Sequence, residues 1–559
     1  MFGGNEMQFG LADILLMLGG LGLFLYGMRL MGDGLELAAG SKLKKLLSAL
    51  TTNRLMGVLV GFLVTAVIQS SSATTVMVIG FVNAGLMTLS QAAGVIMGAN
   101  IGTTVTSQII AFRIGGFAFT DFAPLFIFVG VIFIMFSKKS TLSHIGQVVG
   151  GLGILFLGLT TMSTAMEPLQ QVPEFVNLLT SFKNPLIGIL VGALFTAIIQ
   201  SSSASVGILQ ALAMQGLIGL DGAIFVLCGQ NIGTCVTALI SSIGANKTAR
   251  RAAILHLLFN VIGTLLFIPI VLIPGIGFVN MVESLSPGNA AQQIANAHII
   301  FNIVTTLVLL PASPLLVRMA TALVPGKDKK EIEPMQVQYL DRRILKTPPI
   351  AVGQVIKETE RMAVLSRQNF HDSLEYFNQP SPELKERIMA NEQVLDYLNK
   401  EITAYLIQIS ALELTASDSA TVGALFHTVN DFERIGDHAE NIVDAADEMY
   451  SRKVKFSDTA AKEIKELTLR VEVLLDEALH MFRSRVYDES LAQTITRSEE
   501  DIDRCNEAFR NNHIKRLTKR KCTPEQGAVF LDLLTNLERV ADHATNIAFS
   551  IHNGAKIHQ

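Results

Sequence analysis

The chain has 559 residues, half of them hydrophobic and 16 % charged, with no Trp and a formal net charge of −4. That average hides a division: residues 1–325 hold 9 acidic and 13 basic residues, and the remainder holds 39 and 31. A first part so poor in charge, with apolar runs near the roughly 20 residues of a bilayer crossing, excludes a wholly water-soluble protein and gives no sign of a nucleic-acid binder.

The four cysteines, Cys228, Cys235, Cys505 and Cys522, form no CxxC pair, so neither a disulfide framework nor a zinc site is expected. Met1 to Gln8 has no basic region, which argues against a cleaved signal peptide.

Leu11–Met31 predicts a first crossing. Leu55–Ala84 is apolar at both ends and carries Gln69-Ser70-Ser71-Ser72-Ala73-Thr74-Thr75 at its centre. Its length, about 30 residues, is too short for two full crossings at a rise of about 1.5 Å per residue. Consecutive hydrogen-bonding side chains at membrane depth belong in a cavity or a site, so this stretch predicts a re-entrant hairpin with the polar run at its tip. Ala92–Phe112 is interrupted by Gly98-Ala99-Asn100-Ile101-Gly102-Thr103-Thr104 and predicts a broken helix. Phe122–Phe136 predicts a further crossing.

The same four units return from about Gln147. Gln200-Ser201-Ser202-Ser203-Ala204-Ser205 repeats the polar run at an offset of 131 residues. At that offset Gly19-Gly20-Leu21-Gly22 answers Gly150-Gly151-Leu152-Gly153, and Asn100-Ile101-Gly102-Thr103 answers Asn231-Ile232-Gly233-Thr234. An ungapped match this long is a duplication. An extra span follows over about 292–320.

Three crossings and a hairpin per copy make an odd number, so the second copy enters the membrane inverted. The basic clusters at Lys42, Lys44, Lys45 and Arg54, at Lys138 and Lys139, at Lys247, Arg250 and Arg251, and at Lys327, Lys329 and Lys330 then share one side, which the positive-inside rule makes cytoplasmic. The N-terminus is expected outside a cell inner membrane.

Pro325-Gly326, Pro334 and Pro348-Pro349 punctuate a linker over 326–349. Beyond it, 350–559 reads as six long charged helices, with Ser381 and Ser457 as candidate N-caps. Phe432–Ile442 matches Leu537–Ile547 at an offset of 105, which predicts tandem three-helix bundles. The expected fold is all-α: a polytopic membrane unit (1–325) of two inverted-topology repeats, about 11–140 and 145–276, with re-entrant hairpins and broken helices, followed by a cytoplasmic tandem three-helix-bundle domain.

Two inverted hairpins bring their Gln-Ser-Ser-Ser tips together near the midplane. Half-helix N-termini and Ser hydroxyls suit a small oxyanion, and Gln, Asn and Thr oxygens suit Na⁺. The motifs hold no Lys or Arg, so a buried dianion needs cations beside it. These motifs closely resemble those of the type II sodium/phosphate cotransporter family, over about residues 11–320. The resemblance implies sodium-coupled movement of inorganic phosphate, with Gln69, Ser70, Ser71, Ser72 and Asn100, and Gln200, Ser201, Ser202, Ser203 and Asn231, in the substrate and sodium site, and Thr74, Thr103 and Thr234 beside them. Ser205-Val206 stands where the first copy has Thr74-Thr75, which ties any sodium role of Thr74 to one half.

Glu-Arg-x-x-Asp-His-x-x-Asn-Ile, at 433–442 and 538–547, resembles PhoU-like domains, some of which bind metal clusters. Glu433/Asp437 and Glu538/Asp542 are i,i+4 pairs that could share a hard divalent or trivalent metal, or form a solvated face salt-bridged to Arg434 and Arg539. The implied partners are phosphate, sodium ions and the lipid bilayer; a homo-oligomer and a cytoplasmic signalling partner stay open. So do a receptor without net transport and another small anion, although the Ser-Asn-Thr tips that dicarboxylate transporters carry by resemblance are missing. No Walker A loop, nucleophile elbow or HExxH marks an enzyme. His256 and His298 read as packed residues, and Arg29, whose counterpart is Thr160, is left without a role.

Overall fold

The computed structural model describes residues 9–48, 53–114, 117–137, 139–326 and 335–555. Lys138, Lys327, Lys329, Lys330 and Pro334 lie outside the described residues, as do the side chains of Lys42, Lys44, Lys45 and Arg113. Contacts divide the chain into two compact units: 1–329 with 341–347, and 330–340 with 348–559.

In the first unit, α1 (Leu11–Ser48) is followed by α2 (Arg54–Ile68), α3 (Ser71–Asn83) and α4 (Leu89–Ala111). A minimal hairpin, β1 (Arg113–Ile114) with β2 (Phe117–Ala118), leads to α5 (Ala123–Phe136). The second copy runs α6 (Ser140–Met166), α7 (Pro173–Thr180), α8 (Pro185–Ile199), α9 (Ser202–Met214), α10 (Leu220–Ser241) and α11 (Lys247–Leu272). Then come α12 (Phe278–Leu285), α13 (Ala290–Leu309) and α14 (Ser313–Leu323).

The polar runs themselves make the breaks. α2 ends where Gln69 turns left-handed (φ 57°, ψ 24°), and Ser70 caps α3 by accepting the Ala73 N–H. Gln200 (φ 57°, ψ 23°) and Ser201 repeat both features, with Ala204 as the donor. A glutamine in this region is uncommon, and it recurs at matching places in both copies. Hydrogen bonds give the direction. Arg54 Nε donates to Ser90 Oγ (2.9 Å) at the start of α2, and Thr106 Oγ1 donates to Gln69 Oε1 (2.8 Å) at its end, so α2 and α4 run parallel. Only Ala84–Thr88 joins α3 to α4. α3 therefore returns to the end from which α2 set out, which is a re-entrant path.

The expected breaks at Asn100 and Asn231 are absent: α4 and α10 are continuous. Their glycines serve close approach instead. A methyl group on Gly98 would overlap the Val58 carbonyl, and one on Gly102 would lie 2.7 Å from the Phe62 carbonyl. No carbonyls are freed there for an ion.

The first helices of the two copies pack antiparallel. Gly20 lies against Gly158 and Met162, while Gly27 lies against Gly151 and Leu155. Gly151 and Gly158 are the 131-residue counterparts of Gly20 and Gly27, so the contact is reciprocal, as across a pseudo-two-fold axis.

Among the described residues five helices are long and apolar enough to cross a membrane: α1 to Ala39, α6, α10, α11 and α13; the α7–α8 pair, bent by 107°, makes a sixth if counted as one span. Seven crossings were expected. α5 is too short by this measure, and α4 carries Asn100, Thr103, Thr104, Thr106 and Ser107. Those residues are buried in protein, so α4 has no need of a lipid-facing composition.

The second unit holds α15 (Pro348–Asn378), α16 (Pro382–Ser410), α17 (Ala416–Ser451), α18 (Asp458–Ser484), α19 (Glu489–Thr518) and α20 (Pro524–Ala555). Ser381 and Ser457 do cap α16 and α18. The helices form two three-helix bundles, α15–α17 and α18–α20, joined along α17 and α20. His438 Nδ1 lies 2.8 Å from Asn536 Oδ1, and His543 Nδ1 lies 2.8 Å from Asp431 Oδ1. The counterparts at 105 residues thus also meet reciprocally. Buried Phe370, Phe432 and Phe530 anchor the core.

Candidate functional site

The two tips meet at one cavity of about 270 Å³. Gln69, Ser70, Ser71, Ser72 and Ala73 line it from the first copy, and Gln200, Ser201, Ser202 and Ser203 from the second. The first turns of α3 and α9 therefore both open onto it. Ser70 and Ser201 cap one N–H each, at Ala73 and Ala204, and the remaining first-turn N–H groups have no helical acceptor. Two helix N-termini with six Ser hydroxyls among the nine tip residues form a donor-rich cradle for an anion.

The third wall is α1, which contributes Met28, Arg29, Gly32, Asp33 and Glu36. This overturns the expectation of a site without a cationic side chain. Arg29 is paired with Asp33 one turn on, at 3.7 Å, and its side chain is 82 % exposed, so most of the guanidinium faces open space. Glu36 Oε1 is buried with no hydrogen-bond partner. The cavity wall thus carries one guanidinium and two carboxylates.

The tips are braced from behind. Thr65 Oγ1 donates to Thr74 Oγ1 (3.0 Å), and Thr74 donates to the Ser70 carbonyl. Thr106 donates to Gln69 and lies 3.5 Å from Ser203 Oγ, so one α4 residue touches both tips. Asn100, Thr103, Asn231 and Thr234 are buried but do not line the cavity; each donates to the carbonyl four residues back on its own helix. Arg29, Asp33, Glu36 and Thr106 were missed. The signal for Thr106 was its identity with Thr237 in the second copy; α1 gave none, because Thr160 breaks the repeat at Arg29.

In the second unit, Glu392 of α16 lies against Gly436, between Glu433 and Asp437 of α17. Burial, then the nearby Asp437, Asp396, Glu440 and Glu433 carboxylates, push Glu392 up to about 8. Burial and Asp437 also raise Glu433. The other bundle repeats the arrangement: Glu499 is raised by burial and by Asp503 and Asp542, and Asp503 by burial and Glu538. Asp437 is held by Arg434 at 2.8 Å, Asp542 by Arg539 at 3.3 Å and Glu538 by Arg510 at 3.4 Å. Among the described residues no three His, Cys, Asp or Glu side chains converge as metal ligands.

Comparison with known proteins agrees with these two units. The Na⁺/Pi-cotransporter family model matches residues 23–164 and 167–305, and the PhoU domain matches 359–446 and 464–551. YjbB of Salmonella typhimurium, whose name assigns it provisionally to inorganic phosphate export, is 27 % identical over 543 residues, covering 96 % of this chain and 97 % of its own. Sodium-dependent phosphate transport protein 2A of Rattus norvegicus is 38 % identical over 118 residues, which cover 21 % of this chain and 18 % of that protein. The crystal structure of the phosphate transport system regulatory protein PhoU from Streptococcus pneumoniae is 19 % identical and covers 37 % of this chain and 96 % of its own, with a TM-score of 0.34.

Proposed function

The chain belongs to the Na⁺/Pi-cotransporter family and ends in a PhoU domain, and from that premise we propose that it moves inorganic phosphate together with Na⁺ through the cavity between its two serine tips. The family is one of transporters, not enzymes, and the chain is a multi-pass membrane protein. The observation that carries the reading is the convergence of two helix N-termini and their Ser hydroxyls on one cavity. Phosphate oxygens accept from the first-turn N–H groups and from Ser71, Ser72, Ser202 and Ser203, and Arg29 supplies charge. Asp33 and Glu36 repel a bare dianion, so Na⁺ beside them offsets that repulsion and links the two fluxes. Asn100, Thr103, Asn231 and Thr234 act one layer behind, by shaping α4 and α10. YjbB's name favours outward movement, and the PhoU domain gates on the cytoplasmic side.

The test is phosphate flux in proteoliposomes with a Na⁺ or a K⁺ gradient. Equal flux in the two salts refutes the coupling, and phosphate binding without flux makes the protein a receptor. In a cysteine-free background, Lys139→Cys should label from the cytoplasm and Glu174→Cys from outside. The one-sided basic clusters and the antiparallel α1 and α6 support that orientation; labelling from one common side would overturn it.

We infer, for the PhoU domain, that each acidic face takes up a hard multivalent cation in competition with Arg434 and Arg539. The crowding of carboxylates raised by burial and by one another supports this. Metal content of the purified protein with and without Glu433→Gln and Asp437→Asn measures it; equal content sinks it.

A further inference from the structure

A third internal repeat lies in the membrane unit, apart from those at 131 and 105 residues. His256-Leu257-Leu258-Phe259-Asn260-Val261-Ile262-Gly263-Thr264 on α11 matches His298-Ile299-Ile300-Phe301-Asn302-Ile303-Val304-Thr305-Thr306 on α13, at an offset of 42. His, Asn and Thr spaced by four residues form one stripe on a helix. Both stripes are buried, with Asn260 and Asn302 at 0 % exposure.

Hydrogen bonds fix which atoms the stripes present. Asn260 Nδ2 donates to the His256 carbonyl (3.2 Å) and to Cys235 Sγ of α10 (3.3 Å). Asn302 Nδ2 donates to the His298 carbonyl (2.9 Å). With the amide donors used in this way, Oδ1 of both asparagines is left unpartnered, as are Oγ1 of Thr264 and Thr306 and both ring nitrogens of His256. A threonine can turn its proton to a backbone carbonyl and offer a lone pair. These are buried polar groups without partners, an arrangement that folding disfavours unless an ion or ordered water fills it.

The stripes lie on one side of the contact between their helices. Phe267 meets Phe301 edge-on at 5.0 Å, and Gly263 lies against Thr305, so α11 and α13 run antiparallel where they touch. Asn260 and Asn302 each lie three residues before their helix's contact residue, and Thr264 and Thr306 each lie one after. At about 100° per residue, equal offsets on antiparallel helices rotate both stripes to the same side of the contact. That side is closed by α10 through Cys235 and by α4 through Ser107, whose Oγ lies 3.3 Å from His298 Nδ1. The interior faces named here carry no carboxylate, and neutral oxygens alone cannot offset the desolvation of a divalent ion.

We propose that the paired His-Asn-Thr stripes of α11 and α13 bind a dehydrated monovalent cation, Na⁺, at a site separate from the cavity between the serine tips. The proposal deepens the transport reading and rests on it for the identity of the ion. It also places the ion beside the machinery. On α4, Ser107 touches His298 while its neighbour Thr106 touches Gln69 and Ser203, so consecutive residues face the two sites.

The experiment follows thermal unfolding of the purified full chain against NaCl without phosphate, at constant ionic strength made up with KCl. The wild type should be stabilised by Na⁺ and not by K⁺. The isosteric Thr264→Val and Thr306→Val should each need about ten-fold more Na⁺ for half the effect, and together they should abolish the high-affinity phase. Thr264→Ser and Thr306→Ser, which keep the hydroxyl, should behave as wild type; if the valine variants do not fold, the Ser-against-Ala pair at the same positions gives the comparison. A wild type indifferent to Na⁺, or a Na⁺ titration within two-fold of wild type in the folded double variant, overturns the proposal and leaves the stripes to ordered water. Phosphate flux is read separately. Its absence alongside an intact Na⁺ response refutes the transport reading and spares the site.

Discussion

Arg29 is the cationic side chain among the residues that line the cavity. An anion held by dipoles and hydroxyls alone would rely wholly on co-bound cations. A guanidinium on the third wall supplies a fixed charge, paired with Asp33 one turn away. Charged hydrogen bonds contribute about 1.5–3 kcal/mol, which corresponds to roughly ten- to hundred-fold in affinity. Arg29→Gln should raise the phosphate concentration for half-maximal flux by about ten-fold or more. Ser71→Ala and Ser202→Ala, each removing one neutral donor, should raise it only several-fold. An Arg29→Gln variant with wild-type phosphate dependence would exclude the residue from the site. The duplicated Gln-Ser-Ser-Ser was legible in the sequence because both copies carry it, down to the left-handed glutamine. Arg29 was not, because a search for duplication passes over what only one copy holds. The His-Asn-Thr stripes were missed for a related reason: one lies in the second copy and the other in the extra span beyond it, so an offset of 131 never aligns them.

At the scale of elements, glycine misled. Gly98 and Gly102 beside Asn100 looked like a helix break, yet they are where α2 presses its backbone onto an intact α4. Sequence shows that a side chain is missing and cannot say whether bending or proximity requires it. The α1–α6 contact gives a direct test. A methyl group on Gly27 would overlap the backbone of Leu155 and Gly151, whereas one on Gly22 meets nothing within 4 Å. Gly27→Ala should destabilise the protein by about 1–3 kcal/mol or more and lower the yield of folded protein, and Gly22→Ala should be neutral; thermal stability in detergent decides. In the helical bundles the acidic pairs were legible on α17 and α20, but their partners on α16 and α19 became visible only through packing. Glu392 is raised from 4.5 to about 8, chiefly by burial and then by its carboxylate neighbours. Between those values the folded protein keeps a proton that the unfolded chain releases. Its contribution is therefore complete below about pH 4.5 and lost as pH rises through about 8. The unfolding midpoint of the bundle domain should fall from pH 5 to pH 8 by at least about 2–4 °C, the effect of roughly 1 kcal/mol in a domain of this size. Glu392→Gln should flatten that fall, and an unchanged pH profile in the variant would assign the fall to other groups.

Over the whole molecule, the least legible feature is the segment Asp341–Thr347. Flanked by prolines, it reads as part of a linker, yet it packs within the membrane unit. Asn83, the last residue of α3, donates to Asp341 (2.9 Å) and accepts from the Asn246 N–H at the start of α11 (2.8 Å). Ile344, fully buried, lies against Gly80 of α3. Arg343 pairs with Asp341 (2.7 Å) and donates to the Ser241 carbonyl (2.7 Å), closing an otherwise open helix C-terminus. Seven residues, three of them cationic and only Ile344 and Leu345 apolar, gave no periodicity from which this docking could be read. Its consequence is mechanical. α3 begins at Ser71 in the cavity and ends, after 13 residues, under this strap, so the strap grips the far end of a helix whose near end opens onto the cavity. Any motion of the first hairpin during transport must carry the strap along or break its contacts, and the chain passes from Thr347 directly into α15. Ile344→Ala leaves a cavity against α3, and Arg343→Gln removes the ion pair and weakens the grip on α10. Both variants should change the maximal rate of phosphate flux several-fold while leaving its half-saturating concentration within about two-fold, because neither side chain lines the cavity. A change in half-saturation with an unaltered rate would show that the strap shapes the binding site. Wild-type values for both would show that α3 moves, if it moves, without it.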